Sequence, residues 1–294
     1  MIAKELSIGK VDVSGFLDFS TSWLDAEEQE SRELATLESA NLRMFSQIDD
    51  KTTVQVRLAG GDEAEFGLEQ ANVNYQVTEA LSIFAGEYLS SLGWEAYHAP
   101  NRYQYSMSAA LVYPAFFSGA GARYQADGFE LYGSMAAGIW DAPYADTRTD
   151  DIGWEAALRY TAIDNLTVFV GAAKGKVFED AEFERSLVNL WVSYLMGGLT
   201  LAAEYNDLRD YSLVGDDGSS WLVMANYAIN DVWGITVRSS AMETHGGIDT
   251  EKYTVAGTRI LTNNITARAE YNTTRDQMTN IDSNNLVIEI LVEF

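Results

Sequence analysis

Apolar and polar side chains alternate one for one along most of this chain, and the final stretch shows the pattern most plainly. From Asn285 to Phe294, residues Leu286, Ile288, Ile290, Val292 and Phe294 share one face of an extended strand, while Glu289 and Glu293 lie on the other. Successive strand side chains point to opposite sides, so a period of two separates an apolar face from a charged one. Such a strand suits a closed sheet whose outer surface meets lipid and whose interior is wet.

Counted back from Phe294, the same alternation predicts strands over 283–294, 264–275, 250–261, 232–243, 219–229, 198–208 and 185–196. It continues over 165–176, 151–162, 128–140, 117–126, 80–91, 66–77, 51–60, 36–48 and 9–23. That makes sixteen, an even number that puts both termini on one rim. Each segment is close to the length a tilted strand needs to cross a bilayer. Tyr residues punctuate the segments. Asn74-Tyr75, Arg123-Tyr124, Arg159-Tyr160, Ser193-Tyr194 and Asn226-Tyr227 each precede a short turn, most of them built from Gly, Asn or Asp. Those three residues tolerate the positive φ of tight hairpins. Glu87-Tyr88, Glu204-Tyr205 and Glu270-Tyr271 mark the opposite strand ends. A Tyr at both ends predicts two interfacial aromatic girdles.

Short turns near 49–50, 77–79, 127, 164, 197, 230 and 263 define one rim. Longer acidic loops near 25–34, 61–65, 141–150, 177–184, 208–218, 244–250 and 276–282 define the other. The resulting expectation is an all-β fold: a single transmembrane antiparallel up-and-down β-barrel spanning 1–294. One segment, approximately 92–116, stands outside the rhythm. Read as a single strand it would make the total odd and move loop 141–150 to the short-turn rim. It is therefore read as a loop folded into the lumen, a constriction. The alternative is that residues 103–113 supply two further short strands, for eighteen in all.

Composition narrows the function. Against 44 acidic residues stand 19 basic ones, a net charge of −25, which excludes nucleic acid as a partner because both would repel. The chain has no Cys, so disulfides and thiol chemistry are absent. No run approaches the ~18 apolar residues of a membrane-crossing helix. The mean hydropathy of −0.13 is compatible with a barrel, whose polar inner face dilutes its lipid face. Met1-Ile-Ala-Lys-Glu-Leu6 lacks the apolar core of a signal peptide. For an outer-membrane protein the expectation is that such a signal has been removed.

Leu92-Gly-Trp-Glu95, Asn101-Arg-Tyr-Gln-Tyr-Ser-Met-Ser108, Gly121-Ala-Arg-Tyr124 and Gly138-Ile-Trp-Asp141 resemble the central signature of the putative β-barrel porin families of Gram-negative bacteria. The resemblance is concentrated in 80–141; elsewhere the chain shares only the strand rhythm and the terminal Phe. It implies a water-filled pore in the bacterial outer membrane, commonly a homotrimer, with an inward loop like the third loop of general porins. It names no solute. The partners it implies are small hydrophilic solutes and ions, outer-membrane lipid and lipopolysaccharide.

If Tyr and the aliphatic residues face lipid, their polar neighbours face the lumen, because a charge at mid-depth on the lipid face costs a few kcal/mol. That rule sends Arg43 and Arg57 inward on adjacent strands near mid-height. It also sends inward Asn72, Asn74, Arg123, Glu155, Arg159, Asn189, Glu204, Asn226, Arg238, Arg268, Glu270 and Glu289, with Arg123 and Arg159 lower, near the short turns. Arg259 has no clean facing. Candidate pore-lining or constriction residues are Arg43, Arg57, Glu95, Arg102, Glu204, Arg238, Arg268 and Glu289. Opposed charges at a constriction set ion selectivity and orient dipolar solutes. Glu95 is the only carboxylate in the inward segment, which thins the acidic side and puts a strong transverse field in doubt; lumen arginines paired with lumen glutamates would only brace the wall. Tyr97, Tyr103 and Tyr105 line the loop or pack it.

The acidic runs Asp25-Ala-Glu-Glu-Gln-Glu30 and Glu179-Asp-Ala-Glu-Phe-Glu184 offer oxygen ligands for loosely bound Ca²⁺ or Mg²⁺, without the spacing of a calcium-binding loop. No other cofactor or metal is expected. A barrel enzyme would need a nucleophile with a positioned base. Only His98 and His245 are available, with no Ser-centred elbow nearby. A plugged barrel used for adhesion has few long loops to offer a receptor. A soluble β-sandwich would have to cover Trp154, Leu158, Tyr160 and their equivalents on nearly every strand. The reading is a passive diffusion porin, with a substrate-selective channel as the alternative. Net charge favours cations, although loop and lumen charge can disagree.

Overall fold

The computed structural model describes residues 11–26, 32–62, 64–140, 152–177, 183–211 and 216–294. Sixteen strands follow one another around a closed antiparallel barrel: β1 (Val11–Ala26), β2 (Arg32–Gln47), β3 (Thr52–Gly61), β4 (Ala64–Gln76), β5 (Leu81–Leu89), β6 (Phe116–Ala126), β7 (Phe129–Ala137) and β8 (Ile152–Tyr160). The second half comprises β9 (Leu166–Val177), β10 (Phe183–Met196), β11 (Leu199–Arg209), β12 (Gly218–Ala228), β13 (Trp233–Thr244), β14 (Asp249–Thr262), β15 (Ile265–Asp276) and β16 (Ile281–Glu293). Each pairs with its sequence neighbours, and β1 pairs with β16. Gly15 and Phe294 seal that seam by exchanging both backbone hydrogen bonds, at 2.9 and 3.0 Å. In lipid every strand N–H and C=O needs such a partner, and closure leaves no edge.

The strand count and order match the alternation in the sequence. The largest displacement of a boundary is at β2, which begins at Arg32 rather than 36. Turn chemistry behaves as expected: Asp127 and Asn165 adopt φ of 48° and 63° at two short turns, and Asp49 accepts the backbone N–H groups of Lys51 and Thr52, each at 2.8 Å. Segment 103–113 forms no strand, so the eighteen-stranded alternative falls. Where a loop was expected near 61–65, Gly61 already pairs with Ala64 across β3 and β4. The predicted loop 141–150, the N-terminal residues 1–10 and most of both acidic runs (27–31 and 178–182) lie outside the described residues.

The outer wall is apolar: Val170, Val188, Leu190, Val223, Val237 and Val255 point outward and are exposed. Exposed Tyr75, Tyr124, Phe129, Tyr194, Tyr227 and Trp233 ring the short-turn end, and Tyr205, Trp221, Tyr253 and Tyr271 stand toward the other. Arg259 belongs to the outer face, with its guanidinium 5.0 Å from the Trp233 ring. One girdle member was misplaced. Tyr88 is buried inside the barrel and Glu87 faces outward, the reverse of Glu204-Tyr205 and Glu270-Tyr271. The reason is that β5 lies under the inward loop, where an apolar cluster takes up Tyr88 with Leu92, Phe117, Tyr132 and Phe169.

Outward Val223 lies mid-strand, so Val223→Arg is expected to lower the unfolding free energy by about 2–4 kcal/mol, read from equilibrium denaturation of the protein folded into vesicles.

Candidate functional site

Residues 90–115 connect β5 to β6 and fold into the lumen, with a single helical turn at Ala99–Asn101. Apolar residues fix the segment first. Leu92 and Val112 join the cluster that includes Phe169, Leu187 and Leu208; Ala110 packs with Leu222 and Met224; Ala99 packs with Phe16 and Leu291. These wall residues point inward, so β9 to β12 and β16 carry apolar side chains on both faces wherever the loop covers them. Gly93 has φ of +88° and lies against Tyr113 so closely that a Cβ would fall 2.1 Å from the ring. Burial raises the Tyr113 phenol well above its ordinary range, so the hydroxyl stays protonated and donates to the Glu95 carbonyl at 3.1 Å.

Polar groups then settle the loop backbone, with a division of labour by charge. Wall and loop acceptors take its N–H groups: Glu155 that of Ser91 at 2.8 Å, Asn189 that of Gly93 at 3.1 Å, Glu204 that of Trp94 at 3.2 Å, Glu270 that of Tyr105 at 2.8 Å and Glu95 that of Ser108 at 2.8 Å. Wall cations take its carbonyls. Arg238 donates to Ser106 and Met107 at 2.8 and 3.1 Å, Lys252 to Met107 at 2.9 Å and Arg268 to Arg102 at 2.8 Å.

This arrangement decides the fate of the eight candidates. All of the wall residues among them face inward. Arg238 is fully enclosed and ion-paired with Glu95, Arg268 pairs with Glu289 at 2.7 Å, and Glu204 is buried against Asn189 at 2.6 Å. The four wall residues therefore face the lumen but are covered by the loop, and Glu95 is the loop's own partner in that contact. Arg102 spends its guanidinium on the loop's own Tyr105 and Tyr97 carbonyls. Arg43 and Arg57 are direct cross-strand neighbours on the uncovered wall. Arg43 donates to Gln55 at 2.7 Å, and Arg57 to Asn41 at 2.7 Å with Glu69 3.7 Å away.

Glu38 and Glu69 were not foreseen. Glu69 meets His98 at 2.9 Å and Asn41 at 3.2 Å, and Glu38 accepts the Tyr105 hydroxyl at 2.7 Å. Each is the extra residue at a register shift, between Asp18 and Phe19 in the β1–β2 pairing and between Arg57 and Leu58 in the β3–β4 pairing. A bulge adds one residue to one strand and breaks the parity from which facing is read. Glu155, Asn189 and Glu270 were legible as inward-facing but not as anchors; the signal for an anchor was the apolar inner-face residue beside it.

Two lumen cavities flank the loop. The outer one, about 360 Å³, is lined by Glu38, Glu65, Glu69, His98 and Arg102. The inner one, about 430 Å³, lies toward the short-turn rim and is lined by Asn72, Asn74, Arg123, Glu130 and Arg159. Tyr97 and Leu111 belong to the lining of both.

The family model described as "Putative beta-barrel porin-2, OmpL-like" matches residues 38–291. No curated protein matches the chain in sequence. Among solved structures, Salmonella typhi OmpF in complex with daunomycin is similar in fold, with a TM-score of 0.79 at 13% identity over 98% of each chain. An anion-selective porin from Comamonas acidovorans gives 0.74 at 12%, covering 97% of this chain and 99% of that one. In vitro folded OmpT of Vibrio cholerae in its trimer form gives 0.70 at 14%, covering 98% and 100%.

Removing one partner of a buried ion pair strands the other charge. Arg238→Met is expected to destabilise the docked loop by about 3–5 kcal/mol, and the double variant with Glu95→Gln to recover most of that loss. Denaturant unfolding, with proteolytic cleavage inside 90–115 as the local reporter, checks both.

Proposed function

The chain belongs to the putative beta-barrel porin-2, OmpL-like family of the bacterial outer membrane, and from that premise we propose that it conducts ions and small hydrophilic solutes passively through its lumen. The observation that carries this reading is the loop 90–115 itself. It is fastened to the wall and leaves two lumen cavities, with Tyr97 and Leu111 in the lining of both. A segment held by that many hydrogen bonds narrows the barrel at a fixed place. The protein acts as a channel and not as an enzyme: His98 is engaged with Glu69 and the wall carboxylates are engaged with the loop.

Selectivity follows from where uncompensated charge meets water. The chain's excess of carboxylates is not carried by the covered wall, where Arg238 and Arg268 offset Glu95 and Glu289. Among the described residues the outer cavity holds Glu38, Glu65 and Glu69 against Arg102, with Glu69 itself paired to Arg57 and His98. Solutes entering from outside meet that acidic cavity first, which supports a mild cation preference set at the mouth. The acidic rim also suits loosely held Mg²⁺ or Ca²⁺ bridging to lipopolysaccharide. A homotrimer is the assembly that accompanies this reading, and the trimer form of one structural neighbour supports it. A substrate-selective channel is the second reading, favoured by the narrowing of the barrel at the loop.

Single-channel recording in planar bilayers under a salt gradient tests the proposal. Open steps grouped in threes with a cation-directed reversal potential are expected. A folded protein that conducts nothing would overturn it, and an anion-directed reversal would transfer control to the lumen arginines. Saturable block by one solute class would replace the general porin with the selective channel.

A further inference from the structure

The inner cavity has two unlike sides, and its charged side takes no part in the loop fastening described above. On one side Arg123 and Arg159 share a single carboxylate, Glu130, at 3.9 and 3.1 Å. Both arginine side chains remain about two-fifths exposed, at 43% and 39%. Glu130 also accepts from Gln125, so it serves two hydrogen-bond donors, Gln125 and Arg159, besides its longer ion pair with Arg123. Arg123 Nε and Asn74 Oδ1 are buried at this cavity with no hydrogen-bond partner. On the other side the lining is flat and apolar: Phe84, Leu92, Trp94, Leu111 and Tyr113. Of the other acids, Glu95 lines the cavity but is enclosed in its pair with Arg238, and Glu155 is enclosed and saturated by Ser90 and Ser91. The volume of about 430 Å³ falls within the ~300–1,000 Å³ range of small-molecule sites.

We propose that this cavity is a binding site for a small organic monoanion, a carboxylate carried on a flat apolar ring, whose carboxylate bridges Arg123 and Arg159 while the ring lies against Phe84 and Trp94. Planar guanidinium forks match a carboxylate in two-point geometry, and an ionised acceptor makes the stronger hydrogen bond. The partly exposed side chains of Arg123 and Arg159 supply the donors. Glu130 holds both arginines in register and competes with the ligand for them, so binding there is weak and reversible, as passage through a channel requires. The inference rests on the channel reading, because the site is reached only along the lumen.

The test is calorimetric titration of the folded protein in detergent with sodium benzoate, beside acetate and benzyl alcohol, with single-channel conductance recorded from the same preparations. Benzoate is expected to bind with one site per chain and more tightly than either comparator. Arg123→Gln and Arg159→Gln should each weaken it by about tenfold, the loss of one charged hydrogen-bonding partner. Glu130→Gln should tighten it severalfold by releasing both guanidiniums, an effect that a merely structural role for the trio would reverse. Acetate binding as tightly as benzoate, benzyl alcohol binding equally well, or a Glu130→Gln variant that binds more weakly would each overturn the site. A conducting protein that takes up no benzoate overturns the site and leaves the channel standing. A protein that binds benzoate but conducts nothing overturns the channel reading alone.

Discussion

The constraint on which this molecule depends is that no backbone N–H or C=O can be left without a partner where water is absent. In the wall the constraint dictates closure, and the Gly15–Phe294 exchange completes it. In the lumen it dictates something less regular. Loop 90–115 has almost no secondary structure of its own, so its peptide groups cannot satisfy one another. The wall does this instead, with carboxylates and amides receiving the N–H groups of Ser91, Gly93, Trp94 and Tyr105, and with Arg238, Lys252 and Arg268 reaching the carbonyls. Charges on the inner face of β8, β11, β13, β14 and β15 thus act as ligands for peptide groups.

That use of charge changes what the lumen offers a solute. A wall arginine that faces inward is a candidate for contact with permeating ions only if nothing covers it. Arg238 and Arg268 are covered, and each is matched by a carboxylate. Arg43, Arg57, Arg123 and Arg159 lie on the wall from β2 to β8, part of which the loop leaves open. The field along the path is set by this minority of groups, and the formal charge of −25 is a poor guide to it.

The barrel was legible in the sequence because period two is imposed by geometry that no tertiary contact can alter within a regular strand. Leu286, Ile288 and Phe294 face outward as alternation requires, and Glu155, Asn189, Glu204, Arg238, Arg268, Glu270 and Glu289 are buried on the inner face. Legibility failed in two kinds of place. At Glu38 and Glu69 a bulge inserts one residue, and parity cannot be carried across a defect whose position depends on the partner strand. At Tyr88 the alternation itself was intact, but the residue type misled: an aromatic at a strand end suggests a girdle, whereas here the loop supplies an apolar surface inside the barrel. The covering of Arg238 and Glu204 was hidden for the same reason. One trace of it was present, since Leu187, Leu208, Leu222, Val287 and Leu291 put apolar side chains on faces that a wholly wet lumen would make polar.

The loop also makes the two ends of the path chemically different. Above it, Glu38 and Glu69 are drawn inward by the two bulges; below it, Arg123 and Arg159 project from regular positions near the short turns. Tyr97 and Leu111, in the lining of both cavities, present little charge. A transverse field across one constriction would orient a dipole as it crosses the eyelet. On the channel reading proposed above, an acidic cavity in series with a basic one would instead separate the demands in space, favouring a cation near Glu38 and Glu69 and an anion near Arg123 and Arg159. Neither sign would find a continuous attractive track, which would lower the selectivity of the whole below that of either half. The same sequence of sites would favour a solute that carries both charges, or an amphiphilic anion whose apolar part lies against Tyr97 and Leu111. The placement of the loop, more than the number of charges in the chain, would thereby set which solutes find successive footholds.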